Sequence, residues 1–551
     1  MKMKRNKKMN EKQKISGKEN SLYHLMLGIL FFCAIPILLV LSYWACRYSY
    51  YETTDYSIRN VLVSDSAWKH ILVFLLAAAA VYGVDKFLTR RNRITQERIC
   101  LWVLMATCVA AFLLGVFYVR SNPYYPVGDQ IGATAFAAYS REGNYIMLSP
   151  GGYVGMYQQQ KGLGFLYEIL FTVCGDFNYT AAKILHVVWW MIAILSGYGF
   201  LKWNADRAVF RIIYCLLMLG CTPFLLYLPY IYGDIMSISF CLCLFWALTV
   251  YEHTGRKRYL VLAAFVAALA LLARKNTWIV LIGVGIYALL LCLKKENWRF
   301  LLAGAIILLA ASLAVKAVDV MYEYRSGYPD GIGIPSILWI AMGMQETDGM
   351  AGVYNRYQQS VFEDNDFQPE PSAEIGKEYI RNRLKEFREN PSYTVDFYKN
   401  KLEDQWIEPL FSSLKATETF EPGAVLSSGI TDLYYGRLHD VVWKLANYYQ
   451  SVVYLAGLAL ALAAFGMWWK RENVPAAFYL PLIAIVGGFL FSIIWEAQCR
   501  YVFPYYVFLI LYVPGGLYAA GQIPGKIRKQ LKKDNTVEQT SAERERSGEV
   551  A

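Results

Sequence analysis

Residues 22–46, LYHLMLGILFFCAIPILLVLSYWAC, form an apolar run without a single acidic residue, lysine or arginine. Roughly 20 such residues in a helix cross the hydrocarbon core of a bilayer, so the run predicts a transmembrane helix. The residues before it, MKMKRNKKMNEKQKISGKEN, are too basic to enter lipid. No small-residue cleavage site follows the run, and we therefore expect an uncleaved first span rather than a signal peptide.

Similar runs recur along the rest of the chain. Hydrophobic residues make up 56% of the sequence and charged residues only 18%, whereas soluble proteins carry about a quarter charged residues. The pattern predicts an all-α polytopic membrane protein with about twelve transmembrane helices. The predicted spans are 22–46, 68–88, 98–119, 180–201, 208–227, 232–251, 259–274, 277–293, 299–319, 448–469, 475–495 and 501–521.

The positively charged loops predict the orientation of these spans. Short basic loops face the cytoplasm in most membrane proteins, and five such loops alternate with the predicted spans. With both tails inside, the net charge of +11 reflects orientation and does not indicate a nucleic-acid partner. The predicted inner loops are TRRNRITQER (89–98), KWNADRAVFR (202–211), EHTGRKR (252–258), KKENWR (294–299) and KRE (470–472).

This orientation divides the chain into segments that alternate between the membrane and its two faces. The stretch 162–177 is apolar but short, and its crossing would place basic loops outside, so we expect a helix in the outer interface. Within the second outer loop, 373–406 predicts two helices that form a small cap. The predicted segments are a cytoplasmic tail (1–21), N-terminal spans (22–119), a first outer loop with interfacial helices (120–179), a transmembrane core (180–319), a helical outer loop (320–447), C-terminal spans (448–521) and a cytoplasmic tail (522–551).

Cysteine and histidine give no sign of a metal site. The eleven cysteines fall mostly inside apolar runs, with no CxxC pair and no histidine at ligand spacing. We therefore predict neither a disulfide framework nor a bound metal, and the sequence indicates no cofactor. A divalent ion stays open as an alternative ligand of the outer acidic residues described next.

Ionisable residues converge on the predicted outer face. A charged side chain near membrane depth costs about 2.5 to 3.5 kcal/mol on insertion scales, so it usually has a partner or a function. A structural explanation exists for each: Glu496 and Arg500 could form a helical ion pair, and Asp234 could cap a helix. The residues at the outer ends of spans are Asp129, Asp234, Arg274, Lys275, Glu496 and Arg500.

Together these residues fit a group-transfer reaction. Asp129 or Asp234 could take the proton of an acceptor hydroxyl, while Arg274, Lys275 and Arg500 could hold a leaving phosphate. A transporter would instead place its acidic residues near the bilayer midplane on broken helices. We predict Asp129 as the general base, with Asp234 orienting the acceptor or holding a divalent ion.

These motifs resemble the GT-C superfamily of membrane glycosyltransferases, in particular its protein O-mannosyltransferase and aminoarabinose-transferase branch. PVGDQ (126–130) looks like the family's first acidic motif, and GDIM (233–236) looks like its second. LARKN (272–276) looks like the basic turn that holds lipid phosphate, and RYVFP (500–504) looks like a late RY-x-x-P element. The resemblance covers roughly 98–320 and 475–510.

The resemblance implies the substrates and the site. The donor would be a sugar on a polyprenyl phosphate, and a glycan, lipid or protein hydroxyl at the outer face would accept it with inversion. Tyr501 would join the substrate-binding residues Arg274, Lys275, Glu496 and Arg500. Asp129 is followed by Gln130 where the family often has a second acid, which argues against a bound metal. A bacterial plasma membrane is compatible with this activity.

Two other functions stay open. A transporter or flippase for a lipid-linked saccharide would show paired halves with related patterns, and the sequence shows no internal repeat. An envelope polysaccharide polymerase or ligase would depend chiefly on arginines of its outer loops rather than on paired acids at span ends.

Overall fold

The computed structural model describes residues 21–52 and 60–523. The basic stretches predicted at 1–20 and 525–534 lie outside these described residues. Within them, nine helices are long and apolar enough to cross a membrane. These are α1 (Ser21–Arg47), α2 (Ala67–Thr89), α3 (Arg93–Ser121), α7 (Tyr179–Asn204), α10 (Asp234–Thr254), α12 (Trp278–Lys295), α13 (Arg299–Ser326), α19 (Arg437–Trp469) and α20 (Leu480–Ile494), the spans around α10, α12 and α20 each starting slightly earlier.

The remaining predicted spans have a different form. The last one is broken into α21 (Cys499–Ile510) and α22 (Val513–Gly521), which are bent by 52° and make a tenth span if counted together. The other two correspond to the shorter helices α8 (Ala208–Gly220) with α9 (Thr222–Leu226), and α11 (Lys257–Ala273), which has 17 residues. A multi-pass helical membrane protein is therefore confirmed, and the count of twelve stays a prediction.

Helix α10 lies at the centre of the bundle. Its most apolar window is 89% buried inside the protein, more than in any other candidate span of the described chain. It packs mainly against α7 and α11. Because apolar side chains surround it on all sides, α10 has no lipid-facing stripe, as expected of a helix buried in a bundle. Its first residue, Asp234, consequently starts inside the protein rather than at its edge.

The segment predicted as the first outer loop, called the first outer segment after that prediction, consists of short helices between α3 and α7. These are α4 (Asp129–Arg141), α5 (Tyr153–Met156) and α6 (Lys161–Cys174). Helix α6 corresponds to the predicted interfacial helix and packs against α4 and α11. Its Glu168 is bound by Arg325 of α13, at 2.8 Å, and by the hydroxyl of Tyr322.

The segment predicted as the second outer loop, called the second outer segment in the same way, is also helical. It contains α14 (Ser336–Met342), α15 (Tyr357–Asp364), α16 (Pro369–Glu389), α17 (Pro391–Ile407) and α18 (Ser428–Tyr435). Asn390 is the N-cap residue of α17, and Pro391 is the first residue of this helix. Helix α19 begins at Arg437, before the predicted span start at residue 448, so the last part of the predicted loop is the first part of this helix.

Two short hairpins are present that the all-α prediction missed. Strand β1 (Tyr48–Glu52) pairs antiparallel with β2 (Asn60–Ser64), and β3 (Glu346–Thr347) pairs with β4 (Met350–Ala351). Aromatic and β-branched residues in the first hairpin favour strands. The hairpin was overlooked because each strand has only five residues and lies between two strongly apolar runs.

Candidate functional site

The predicted cations meet at one cavity. Its volume is about 820 Å³, and it lies between the turn from α11 to α12, the start of α21 and parts of both outer segments. Arg274, Lys275, Arg500 and Tyr501 all line it, although they come from separate parts of the sequence. Other lining residues used below are Gln159, Gln160, Tyr232, Asp319, Asp330, Ser336, Trp339, Glu370, Phe491 and Trp495.

Arg274 forms an ion pair with Asp234 behind the cavity wall. The Asp234 carboxylate is only 1% exposed and the Arg274 side chain 10% exposed. The pair forms because α10 starts directly beside the end of α11, where a Cβ on Gly233 would collide with the carbonyl of Ala273. Glycine is therefore required for this close approach. The geometry favours Asp234 as a positioning residue for Arg274 rather than as a group that touches an acceptor.

Arg500 is surrounded by aromatic rings instead of acids. Its guanidinium carbon lies 5.2 Å from the ring centre of Tyr230, 5.0 Å from that of Tyr232 and 5.6 Å from that of Tyr501. It donates a hydrogen bond of 3.3 Å to the side chain of Gln498. Within the described residues Arg500 has no ion pair, and its buried Nε lacks a hydrogen-bond partner.

The two arginines are neighbours. Arg274 lies 5.7 Å from the ring centre of Tyr232 and 5.4 Å from that of Tyr501, the same two rings that Arg500 contacts. Lys275 begins the short turn after Arg274, is half-buried, and has no ion pair in the described part of the chain. Of these three cations, only Arg274 forms an ion pair with a carboxylate in the described chain, and Lys275 interacts at longer range with Asp319.

The helical ion pair that would give Glu496 and Arg500 a purely structural role is not formed between these two described residues. Residues 496–498 are non-helical, and Gln498 has an extended backbone with φ −156° and ψ 129°. Since an i, i+4 pair requires a continuous helix, the two side chains do not face each other. Glu496 instead accepts a hydrogen bond of 3.3 Å from Tyr501.

Glu496 lies behind the cavity in a buried setting. Burial raises the pKa of its carboxyl to about 8, and the negative charge of Asp129 contributes in the same direction. The buried Lys401 of α17 interacts electrostatically with Glu496 and donates hydrogen bonds to the carbonyls of Gly343 and Ile493. Burial also lowers the pKa of Lys401 to about 7. Near neutral pH, burial thus favours the protonated form of Glu496 and the deprotonated form of Lys401.

Asp129 is an exposed carboxylate at the first position of α4. The hydroxyl of Tyr153 donates a hydrogen bond of 3.0 Å to its Oδ1. It has no ion pair within the described residues, so no cation neutralises it. Asp129 does not line the cavity itself. Its negative charge nevertheless acts on Tyr232, a cavity residue whose pKa is raised first by burial and second by Asp129.

The sequence did not single out the acids at the opposite side of the cavity. Asp330 is bound by Lys161 at 2.6 Å and by Lys316 at 3.3 Å, and these contacts offset burial to lower its pKa. Asp319 lies 3.9 Å from the same Lys161. Asp319 is at the outer end of a predicted span, which was a usable signal, whereas Asp330 lies in a loop whose fold brings it to the cavity.

Neither a metal-binding group nor a similar protein of known function helps to identify the chemistry of this cavity. Among residues 21–52 and 60–523, no group of three or more His, Cys, Asp or Glu side chains is arranged to hold a metal ion. No family model, curated protein or solved structure matches this chain. The residues that line the cavity are therefore the basis for inferring a function.

Proposed function

We propose that this chain is a membrane glycosyltransferase that moves a sugar from a polyprenyl phosphate to an acceptor hydroxyl at the outer face of a bacterial plasma membrane. The observation that carries the proposal is that two of the three cations at the cavity wall lack an ion-pair partner within the described residues. Arg274 has a carboxylate partner, but the buried Arg500 and the half-buried Lys275 have none in the described chain. A buried, unpaired guanidinium is unfavourable unless an anion completes it.

Phosphate is the anion that suits this wall. Guanidinium groups bind phosphate oxygens through forked, charge-assisted hydrogen bonds, and Lys275 adds a point charge. The aromatic rings of Tyr232 and Tyr501 hold both guanidinium groups in place. The cations lie at the ends of apolar helices, so a lipid phosphate could enter at headgroup depth while its polyprenyl chain stays in the membrane.

The proposed reaction is a single displacement. Asp129 accepts the proton of the acceptor hydroxyl, the acceptor oxygen bonds to the anomeric carbon, and the bond between that carbon and the phosphate oxygen breaks. The electron pair leaves with polyprenyl phosphate, whose charge Arg500, Arg274 and Lys275 stabilise. Attack opposite the leaving group inverts the anomeric centre. Asp234 keeps Arg274 in place throughout.

The decisive experiment is an assay of the full-length purified chain. We would incubate it in detergent with a polyprenyl-phosphate-linked sugar and measure release of polyprenyl phosphate by chromatography. We expect release that is faster with acceptor and lost in Arg500→Ala. Movement of the intact donor across a vesicle membrane without cleavage would contradict the transferase proposal and favour the transporter alternative.

The proposed orientation has its own test. Cys174 is exposed and belongs to the predicted first outer loop, while Asn204 lies at the predicted inner end of α7. In intact cells, a membrane-impermeant maleimide should label Cys174. A cysteine introduced by Asn204→Cys, in a Cys174→Ser background, should react only after permeabilisation. Labelling of Asn204→Cys from outside would place the cavity on the cytoplasmic face.

A further inference from the structure

The cavity has an aromatic wall that the phosphate chemistry leaves unused. Trp339 of α14 and Trp495 at the end of α20 both line it. Their rings are parallel, with an interplanar angle of 11° and ring centres 6.1 Å apart. Phe491, which also lines the cavity, stacks on Trp495 at 5.3 Å, and Tyr157, which does not line the cavity, contacts Trp339 at 6.0 Å. We call these four residues the aromatic row.

The two tryptophans differ from tryptophans with a packing role. Trp406 is 1% exposed, and its ring nitrogen donates to Ser492 at 3.0 Å, as expected in a core. Trp298 is 66% exposed in a predicted inner loop, as expected of an interfacial anchor. Trp339 and Trp495 are half-buried and line a cavity. Their remaining ring surface is therefore available to a ligand.

Polar side chains with spare hydrogen-bonding capacity line the same cavity. The side chains of Gln159 and Ser336 are exposed and form no hydrogen bond within the described chain. The carboxylate of Asp319 has one ion pair in the described chain, at 3.9 Å to Lys161, and accepts no hydrogen bond there. A sugar ring offers an apolar face of C–H groups and a rim of hydroxyls. Flat aromatic walls with a few orienting polar groups suit such a ligand.

We infer that the aromatic row binds a pyranose ring of the acceptor, and hence that the acceptor is a carbohydrate rather than a protein side chain. This inference rests on the proposed function. The cavity volume of about 820 Å³ is near the upper end for drug-sized ligands, which is more than one transferred sugar and its phosphate require. Trp339 belongs to the predicted outer segment, from which a water-borne or headgroup-linked acceptor would enter.

The test is a binding measurement on the purified full-length chain. Radiolabelled neutral tetrasaccharides of glucose, mannose and N-acetylglucosamine would be equilibrated with it by dialysis in detergent. We expect saturable binding of at least one, weakened roughly tenfold in Trp339→Ala and in Trp495→Ala. Trp339→Phe should stay within about threefold of wild type because it keeps a ring. Trp298→Ala is the matched control and should bind as wild type does.

Failure of this inference and failure of the proposed function give different results. Oligosaccharide binding needs no donor, so a wild-type chain that never releases polyprenyl phosphate contradicts the transferase but leaves the binding result intact. Absence of binding for all three tetrasaccharides overturns the carbohydrate acceptor. So does unchanged binding in both alanine variants, or transfer to a serine-containing peptide that is equally efficient in Trp339→Ala and wild type.

Discussion

The charged residues at the two ends of α10 are arranged differently. Asn204 at the end of α7 contacts Thr249 near the last residues of α10, so Arg207 and Arg211 lie toward that end. Asp234 lies at the other end of this 21-residue helix, roughly 30 Å away. Toward the first end, Arg211 binds Glu97 through two hydrogen bonds of 2.8 and 2.6 Å.

The difference is one of neutralisation. Arg207 binds Asp85 at 2.8 Å, so both arginines of this end have a carboxylate. At the cavity end, Arg274 has one, whereas Arg500 and Lys275 have none in the described chain. Paired charges are accounted for by a structural role, whereas unpaired buried charges are unfavourable and indicate a binding site for a charged ligand.

The largest effect is expected when Arg500 and Arg211 are each changed to alanine. Arg500→Ala should lower turnover of the lipid-linked donor by roughly 100- to 1,000-fold, because a preorganised donor to the leaving phosphate is lost. Arg211→Ala should lower the midpoint of thermal unfolding while the folded fraction keeps near wild-type turnover. Turnover and unfolding are measured on the same detergent preparations. Equal loss of turnover in both variants would mean that pairing does not separate structure from function.

Arg500→Lys separates the effect of the positive charge from that of the guanidinium geometry. It retains the charge but loses the forked geometry, so turnover should fall by about tenfold while the protein stays folded. Wild-type kinetics in Arg500→Lys, together with silent Arg274→Ala and Lys275→Ala, would remove the phosphate site.

The next effect concerns the proposed base. Asp129→Asn keeps the size of the side chain and can still accept the hydrogen bond from Tyr153, but it cannot take a proton. Turnover should therefore fall roughly 100-fold at unchanged thermal stability. Asp176→Asn is the control, because this carboxylate belongs to the same outer segment but already pairs with Arg141. Near-normal turnover in Asp129→Asn would place the base elsewhere, with Asp319 as the first residue to examine.

Stability should report on the pair behind the cavity wall. Asp234→Asn leaves Arg274 buried without a counter-charge, which should lower the free energy of unfolding by about 3 kcal/mol. Adding Arg274→Gln to that variant should recover much of this loss but not the activity. Asp85→Asn is the matched control and should cost less than about 1 kcal/mol, because its partner Arg207 is 41% exposed. Full stability of Asp234→Asn would contradict a buried ion pair.

The smallest effect is a pH dependence of stability. Because the folded pKa of Glu496 is raised from 4.5 to about 8, the folded state binds the extra proton. Its stabilisation is complete below pH 4.5 and decreases as pH rises toward 8. The unfolding midpoint of wild type should therefore fall relative to that of Glu496→Gln as the pH rises from 5 to 7. Lys401 affects stability mainly above its folded pKa of about 7, and a constant difference would contradict burial of Glu496 as an acid.

The membrane class, the positions of most spans and the two helical segments that contribute to the cavity could be predicted from the sequence alone. These features depend on local hydrophobicity and length, which any window of about 20 residues displays. The turn at Arg274 and Lys275 and the helix start at Pro391 were predictable for the same reason, since breaks in apolar runs and proline act locally. Hairpin β1–β2 was not predicted because each of its strands is much shorter than such a window.

Which charges meet depends on packing in three dimensions. Asp234 pairs with Arg274 and not with a near neighbour, and Glu496 faces Tyr501 rather than Arg500. Trp339 reaches Trp495 from a separate outer helix. These contacts depend on how helix ends are rotated and how loops close, and those variables are set by packing across the whole bundle. Whether a charge is paired or left free at the cavity is therefore a property of the fold and not of its local sequence.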